Sequence, residues 1–479
     1  MNNKIYYSLF ISYGLSFTAI GFSYIIYSRI LTPSEFGLYS IALTIGSIGI
    51  FLLDGGIKTA IIKLDKHFGD TEQSSILSWL LLVSVLLTGC LFAIKYPLGY
   101  FLPSVRSDYI FLALFASIYL LTYPFIVIPT ALLERKLQYP RLGWIEAVSI
   151  TIERGGPVIF LLWTNCGLYS FVIALLLGRL CRVFAVLLSH PIKFCLPDFH
   201  RLKQILPLMK EGGWIQLAAG VSLVRDNLHI IILGPIWGKE WVGYYSWGMQ
   251  LCFVLSQAFV QVSARVSLPR MAQQKTFAER WQTCLEQVRF LTMFTAPLLF
   301  AGLLVVPGIN ESFFRGKWSP TLPLLPFLFF RMIIGMAITP IATLIPVQLG
   351  GVVFARFNTV WTVMEVFMAI VLIAILGPKG LAYSCAVSVL FGLYVGIRLL
   401  HEKMAFRTYK IVMKLIWKRP SLLVSISLSS IVIFLIKLSI PGNLLQSLSN
   451  NLLLCGPVSL VIIIISYLTE RLVINGKIS

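Results

Sequence analysis

About fourteen stretches of some 20 mostly apolar residues follow one another down this chain, separated by short polar turns. They fall at 8–31, 37–62, 76–95, 109–132, 143–163 and 167–189, and again at 212–234, 243–265, 285–307, 320–347, 357–376 and 379–400. Two more lie at 421–440 and 452–469. Each is long enough for the hydrocarbon core of a bilayer, where only a helix or a closed barrel satisfies every backbone N–H and C=O. Only 12% of the 479 residues are charged, about half the share of a soluble domain. The expected fold class is therefore an all-α polytopic membrane protein with about 14 transmembrane helices.

The pattern is grouped as six, six and two. Residues 1–189 read as an N-terminal six-helix lobe, 190–211 as a cytoplasmic linker and 212–400 as a C-terminal six-helix lobe. A basic cytoplasmic loop, 401–420, precedes two additional helices and a tail over 421–479. The run after Lys4 is longer than a signal-peptide core and is read as a retained first helix. With the N-terminus in the cytoplasm, about 25 of the Lys and Arg fall in inner loops and about 8 outside, and both termini are cytoplasmic.

A repeat binds the two halves. Ser34-Glu35-Phe36-Gly37-Leu38-Tyr39-Ser40 returns as Glu240-Trp241-Val242-Gly243-Tyr244-Tyr245-Ser246, 206 residues later with six runs between. Six is even, so the halves share one orientation and are related by an axis along the membrane normal. Ile128-Pro129 and Ile345-Pro346, each read as ending the fourth helix of a half, echo the relation.

Several function classes fall away. The net charge of +20 is the mark of cytoplasmic loops, not of nucleic-acid binding. The eight cysteines form no C-x-x-C, so neither a disulfide framework nor a zinc site is expected. No Gly-Lys pair is followed by Ser or Thr, which argues against a nucleotide-driven pump. The six aspartates are never two apart and no loop is large, which disfavours a membrane glycosyltransferase or polymerase.

Five stretches together resemble the multidrug/oligosaccharidyl-lipid/polysaccharide exporter superfamily, and within it the polysaccharide transporter branch of Wzx-type O-antigen and exopolysaccharide flippases. They are Leu31 to Ser40 followed by Asp54-Gly55-Gly56, and their counterpart from Asp226 through Leu233-Gly234 to Ser246. The others are Glu134-Arg135-Lys136-Leu137, Leu268-Pro269-Arg270-Met271 and Gly316-Lys317-Trp318-Ser319-Pro320. Order and spacing match over most of residues 1–400. The resemblance implies an inner-membrane carrier of two alternating lobes, not an enzyme and without a cofactor. Its cargo would be a polyprenyl-pyrophosphate-linked oligosaccharide moved to the periplasmic leaflet. Proton or sodium coupling is implied, as are membrane lipid and a polysaccharide polymerase with chain-length proteins as partners. The alternatives are a cation-coupled multidrug exporter of the same superfamily and a membrane enzyme of polysaccharide assembly.

Charges at membrane depth are the candidate functional groups, because each costs about 2.5–3.5 kcal/mol to insert. Glu146 and Glu153 lie seven apart, on one face of the fifth run, with Arg154 and the Gly155-Gly156-Pro157 interruption beside them. Arg225 and Asp226 are adjacent, about 100° apart on the seventh run, so they face different partners or straddle a cavity edge. Arg331 and Glu365 sit on neighbouring runs and read either as a salt bridge or as cargo-facing groups. Asp54 and Lys58, four apart, read either as a neutralising pair or as functional charges. Guanidinium stays charged in a low-dielectric site and offers a fork to phosphate oxygens. For the implied pyrophosphate this makes Arg154, Arg225, Arg331 and, more remotely, Arg29 the candidate contacts. Asp226, Glu153 and Glu365, with Asp54 and Glu146 behind them, are the candidates for ion coupling. Acids and bases nearly balance, so no strongly cationic cavity is expected. His229 reads as a packing residue before a proton relay. Of the tryptophans, Trp214, Trp247 and Trp361 are the ones considered for stacking on sugar rings.

Overall fold

The computed structural model describes residues 3–63, 69–93, 108–136, 138–164, 166–192 and 199–402, and these are helical nearly throughout. The helices are α1 (Asn3–Ile30), α2 (Pro33–Asp54), α3 (Ile57–Lys63), α4 (Asp70–Ala93), α5 (Tyr109–Arg135), α6 (Tyr139–Trp163) and α7 (Tyr169–Ser189). They continue as α8 (Phe199–Asp226), α9 (Leu228–Gln273), α10 (Phe277–Ser312), α11 (Leu325–Leu349), α12 (Gly351–Leu376) and α13 (Gly380–Glu402). Eight described helical stretches are long and apolar enough to cross a membrane. The protein is thus an all-α polytopic membrane protein. The basic stretch beyond Glu402 and the runs at 421–440 and 452–469 lie outside the described residues.

Two compact units make up the chain, Met1–Ser246 and Trp247–Ser479. In the first, α2 packs on α5, α1 on α6, and α7 on both α5 and α6. Leu53, Ile61, Ile76, Leu120 and Ile128 form one apolar centre there. Hydroxyls within the helices turn back on the carbonyl one turn earlier, as Ser28 does to Tyr24 (2.7 Å) and Ser117 to Ala113 (2.6 Å). That removes their need for water inside a bilayer. In the second unit α11 packs on α10, α12 and α13, around Ile334, Ile338, Phe357 and Trp361.

The first repeat starts α2 by a capping box. The Glu35 backbone N–H donates to Thr32 Oγ1 (3.3 Å), and the Thr32 N–H donates to Glu35 Oε2 (2.8 Å). Pro33, which needs no hydrogen-bond acceptor, follows the cap. The helix stops where Gly55 takes a left-handed conformation, φ 49°, so the run expected at 37–62 is broken into α2 and α3. The second repeat starts differently. Its boundary is Gly238, whose φ of 77° and ψ of 179° bend α9, a conformation only glycine adopts without strain.

Gly37 and Gly243, equivalent members of the repeat, face each other at these helix starts. A Cβ on Gly37 would run into the carbonyl of Lys239, and one on Gly243 into the carbonyl of Pro33. Each glycine also lies against the other's backbone N–H, so two helices touch main chain to main chain. The contact is reciprocal, as a local two-fold relation between the copies requires. Beyond it, Thr44 Oγ1 donates to Asn227 Oδ1 (2.5 Å), and Gln216 Nε2 donates to the Phe51 carbonyl (3.2 Å). Lys239 Nζ pairs with Asp108 Oδ2 at 2.6 Å.

Three expectations need correction. Pro129 and Pro346 do not end their helices: both lie inside α5 and α11, since membrane helices tolerate proline where neighbours cover the freed carbonyl. Pro157 likewise leaves α6 unbroken, removing only the N–H that would have reached the Glu153 carbonyl. Trp247 is no sugar platform, because it is 1% exposed and stacks on Trp318 at 4.9 Å and 5°. The Gly-Lys-Trp-Ser-Pro stretch is a packed turn: the buried Asn310 accepts from the Trp318 N–H (2.9 Å) and donates to Ser319 Oγ (3.1 Å).

Candidate functional site

The first unit carries a cluster of charges and tyrosines on α2, α5, α6 and α7. Glycine makes it possible: a Cβ on Gly178 would strike Glu153 Cγ, so α7 approaches α6 closely enough for short ion pairs. Glu153 Oε1 lies 3.2 Å from Arg179 Nε, and Glu146 Oε1 lies 2.9 Å from Arg182 Nη2. Both carboxylates do share one face of α6, and that face meets α7. Arg179 also stands over the Tyr119 ring, 4.0 Å from its centroid. Neither Arg179 nor Arg182 was anticipated. The signal was available, since Arg179 and Arg182 share one face of α7 as Glu146 and Glu153 share one face of its antiparallel neighbour α6.

Arg154 differs from its neighbours. Its Nη1 donates to the Tyr39 hydroxyl at 3.2 Å, and no carboxylate of the described residues lies within ion-pair distance. Arg154 as a residue is partly buried. Tyr39 itself is 6% exposed, its ring 4.4 Å from Phe171 and 5.9 Å from Phe115. Among the described residues one of the five Arg154 donors is engaged, by a neutral hydroxyl.

A second cluster belongs to the second unit. Arg331 Nη2 lies 3.3 Å from Glu365 Oε1, and Glu365 is wholly buried. Ser388 Oγ donates to Glu365 Oε2 (2.9 Å), the Cys385 thiol to Oε1 (3.3 Å), and Arg331 Nη1 to the Cys385 sulfur (3.2 Å). The salt bridge read from the sequence is present, and Cys385 and Ser388 complete the carboxylate's shell.

The remaining candidates take no part in these ion pairs. Arg225 is buried, 3.7 Å from the carboxylate of Asp226, which is itself 61% exposed: the long contact that neighbours on a helix allow. Asp54 and Lys58 do not neutralise each other. Asp54 ends α2, takes the Tyr123 hydroxyl at 2.6 Å and accepts from the Gly56 and Lys58 N–H groups, while Lys58 Nζ reaches Glu134 at 3.0 Å. The glycine turn at 55–56 sends the lysine side chain away from Asp54. Arg29 is exposed in the last turn of α1. His229 packs structurally, stacked on Tyr245 at 5.1 Å with Nε2 3.1 Å from Ser246 Oγ.

Comparison with known proteins places this architecture. The family model described as "Polysaccharide biosynthesis protein" matches residues 26–323. An uncharacterized membrane protein of the cps region of Klebsiella pneumoniae is 23% identical over 72% of this chain and 71% of its own length. The lipopolysaccharide biosynthesis protein WzxC of Escherichia coli (strain K12) is 22% identical over 69% of this chain and 67% of its own. Among solved structures, the lipid II flippase MurJ in an inward closed conformation superposes with a TM-score of 0.68, covering 96% of this chain and 97% of that one at 14% identity.

Proposed function

The chain belongs to the polysaccharide biosynthesis protein family, in the polysaccharide-transport branch of its exporter superfamily, and from that footing we propose that it is a flippase for polyprenyl-pyrophosphate-linked oligosaccharide repeat units. It is a multi-pass protein of the bacterial inner membrane, and it carries the repeat unit from the cytoplasmic to the periplasmic leaflet for O-antigen or exopolysaccharide synthesis. The observation that carries this reading is Arg154: a guanidinium on α6, within the fifth apolar run, held by a neutral hydroxyl with one of its donors engaged among the described residues. A pyrophosphate crossing a bilayer needs such a group, because its charge otherwise meets hydrocarbon. Family membership, the relatives named for a cps region and for lipopolysaccharide biosynthesis, and the fold shared with a flippase support the same reading.

In the mechanism, lobes over 1–189 and 212–400, joined by the 190–211 linker, give the cargo access to one leaflet and then the other. The two runs expected over 421–479, which lie outside the described residues, would bring the total to 14, with both termini cytoplasmic. Arg154 is the principal pyrophosphate contact, with Arg225 and Arg331 secondary and Arg29 marginal. Glu365 is the coupling acid: protonation or sodium binding there releases Arg331 from its carboxylate. Asp226, 61% exposed beside Arg225, is the second candidate for ion exchange, and Glu146, Glu153 and Asp54 are held by Arg182, Arg179 and Tyr123.

Arg154→Ala tests the assignment. In cells that rely on this chain, surface polysaccharide is expected to fall about tenfold or more, with lipid-linked oligosaccharide retained inside and membrane abundance unchanged. Unchanged export would remove Arg154 from the cargo path and the main support for the reading.

A further inference from the structure

The repeat that unites the two halves serves more than helix initiation. In its first copy, Tyr39 follows Gly37 by two residues and holds Arg154. In its second copy, Tyr245 follows Gly243 by two residues and stacks on His229, while Ser246 bonds the same imidazole. Each copy therefore puts a main-chain crossing and a grip on a basic side chain within three residues.

The grip is stiff. The Tyr39 ring is wedged 4.4 Å from Phe171, 5.9 Å from Phe115 and 6.3 Å from Phe36, and rings packed this way do not change rotamer without moving their backbone. Any displacement of the Arg154 guanidinium toward a ligand is thus passed to the first turns of α2. There Gly37 lies against the Lys239 carbonyl and the Gly243 N–H, with no side chain between to absorb the movement.

We propose that Tyr39 is a positioning residue: it aims Arg154 at an oxyanion of the cargo headgroup and transmits occupancy of that site to the Gly37–Gly243 crossing. The inference rests on the reading above that Arg154 meets the pyrophosphate. It gives the repeated tyrosine a role in linking binding to movement, since a ligand shifts a conformational equilibrium only through contacts that differ between the states.

The test uses the full chain in detergent and undecaprenyl pyrophosphate without sugar as the probe, with hydrogen–deuterium exchange read at 36–40 and 239–246. In the native protein, saturating probe is expected to change exchange in both segments several-fold. Tyr39→Phe keeps the ring and loses the hydroxyl. It is expected to bind the probe about threefold to tenfold more weakly and, at matched occupancy, to leave both segments unchanged. Tyr169→Phe, which removes an exposed hydroxyl bonded to no described residue, is the control and is expected to behave as native. If Tyr39→Phe switches both segments as the native protein does, the positioning role is wrong while the flippase reading stands. If Arg154→Ala binds the probe as tightly as the native protein, the reading itself falls and the inference with it.

Discussion

Gly37→Ala and Gly243→Ala are each expected to abolish most polysaccharide export, although each adds a single methyl group. The new carbon would occupy the space of a backbone carbonyl, of Lys239 in one case and of Pro33 in the other. Flexible side chains can move aside at modest cost, but hydrogen-bonded main chain at a helix start cannot. The two helices must separate, losing the contact along their starts, at a cost of about 1–3 kcal/mol for overpacking. Because the contacts are reciprocal, the two variants should resemble each other closely. Gly89→Ala is the control: nothing lies within 4 Å of a Cβ there, and alanine favours the helix. The measurement is export together with thermal unfolding of the purified variants. Native behaviour of Gly37→Ala would mean that this main-chain contact does not form in the working protein.

Arg331→Ala is expected to have the larger effect on stability. It leaves the Glu365 carboxylate, 0% exposed, with only a hydroxyl and a thiol, and removal of one partner from a buried ion pair costs about 3–5 kcal/mol. Replacing both partners, Arg331→Met with Glu365→Leu, should recover most of that loss, because no charge is then left in the apolar interior. Stability and transport separate at this point. If Glu365 couples ion movement to cargo, the stable double variant folds and remains in the membrane but exports poorly, by about tenfold or more. A double variant that is both stable and fully active would make the pair a packing device and leave Asp226 as the coupling acid.

The helical, many-span architecture was plain in the sequence, since hydrophobic runs of bilayer length admit few alternatives. What the runs could not convey was set by backbone conformation. The break at Gly55-Gly56 sits inside one apolar run, and the bend at Gly238 falls in the gap between the runs at 212–234 and 243–265, where the sequence marks a turn without its conformation. Glu146, Glu153, Arg331 and Glu365 were visible as charges in apolar surroundings. Their partners Arg179 and Arg182 were equally visible, yet they acquire meaning only when α7 is laid antiparallel to α6. Gly37 and Gly243 were recognised as a repeat but not as a contact, because a glycine announces permitted proximity without naming the neighbour. Tyr39 stood inside the quoted motif. Its link to Arg154, 115 residues away, depends on tertiary packing alone.

The central claim is translocation of a pyrophosphate-linked oligosaccharide that depends on Arg154. The direct measurement reconstitutes the purified protein in sealed liposomes carrying that lipid on both leaflets and follows access of an impermeant glycosidase added outside. The lumenal pool should become accessible with the native protein and stay protected with Arg154→Ala. A lumenal pool that stays protected with the native protein, or becomes accessible equally fast with the variant, would contradict the account.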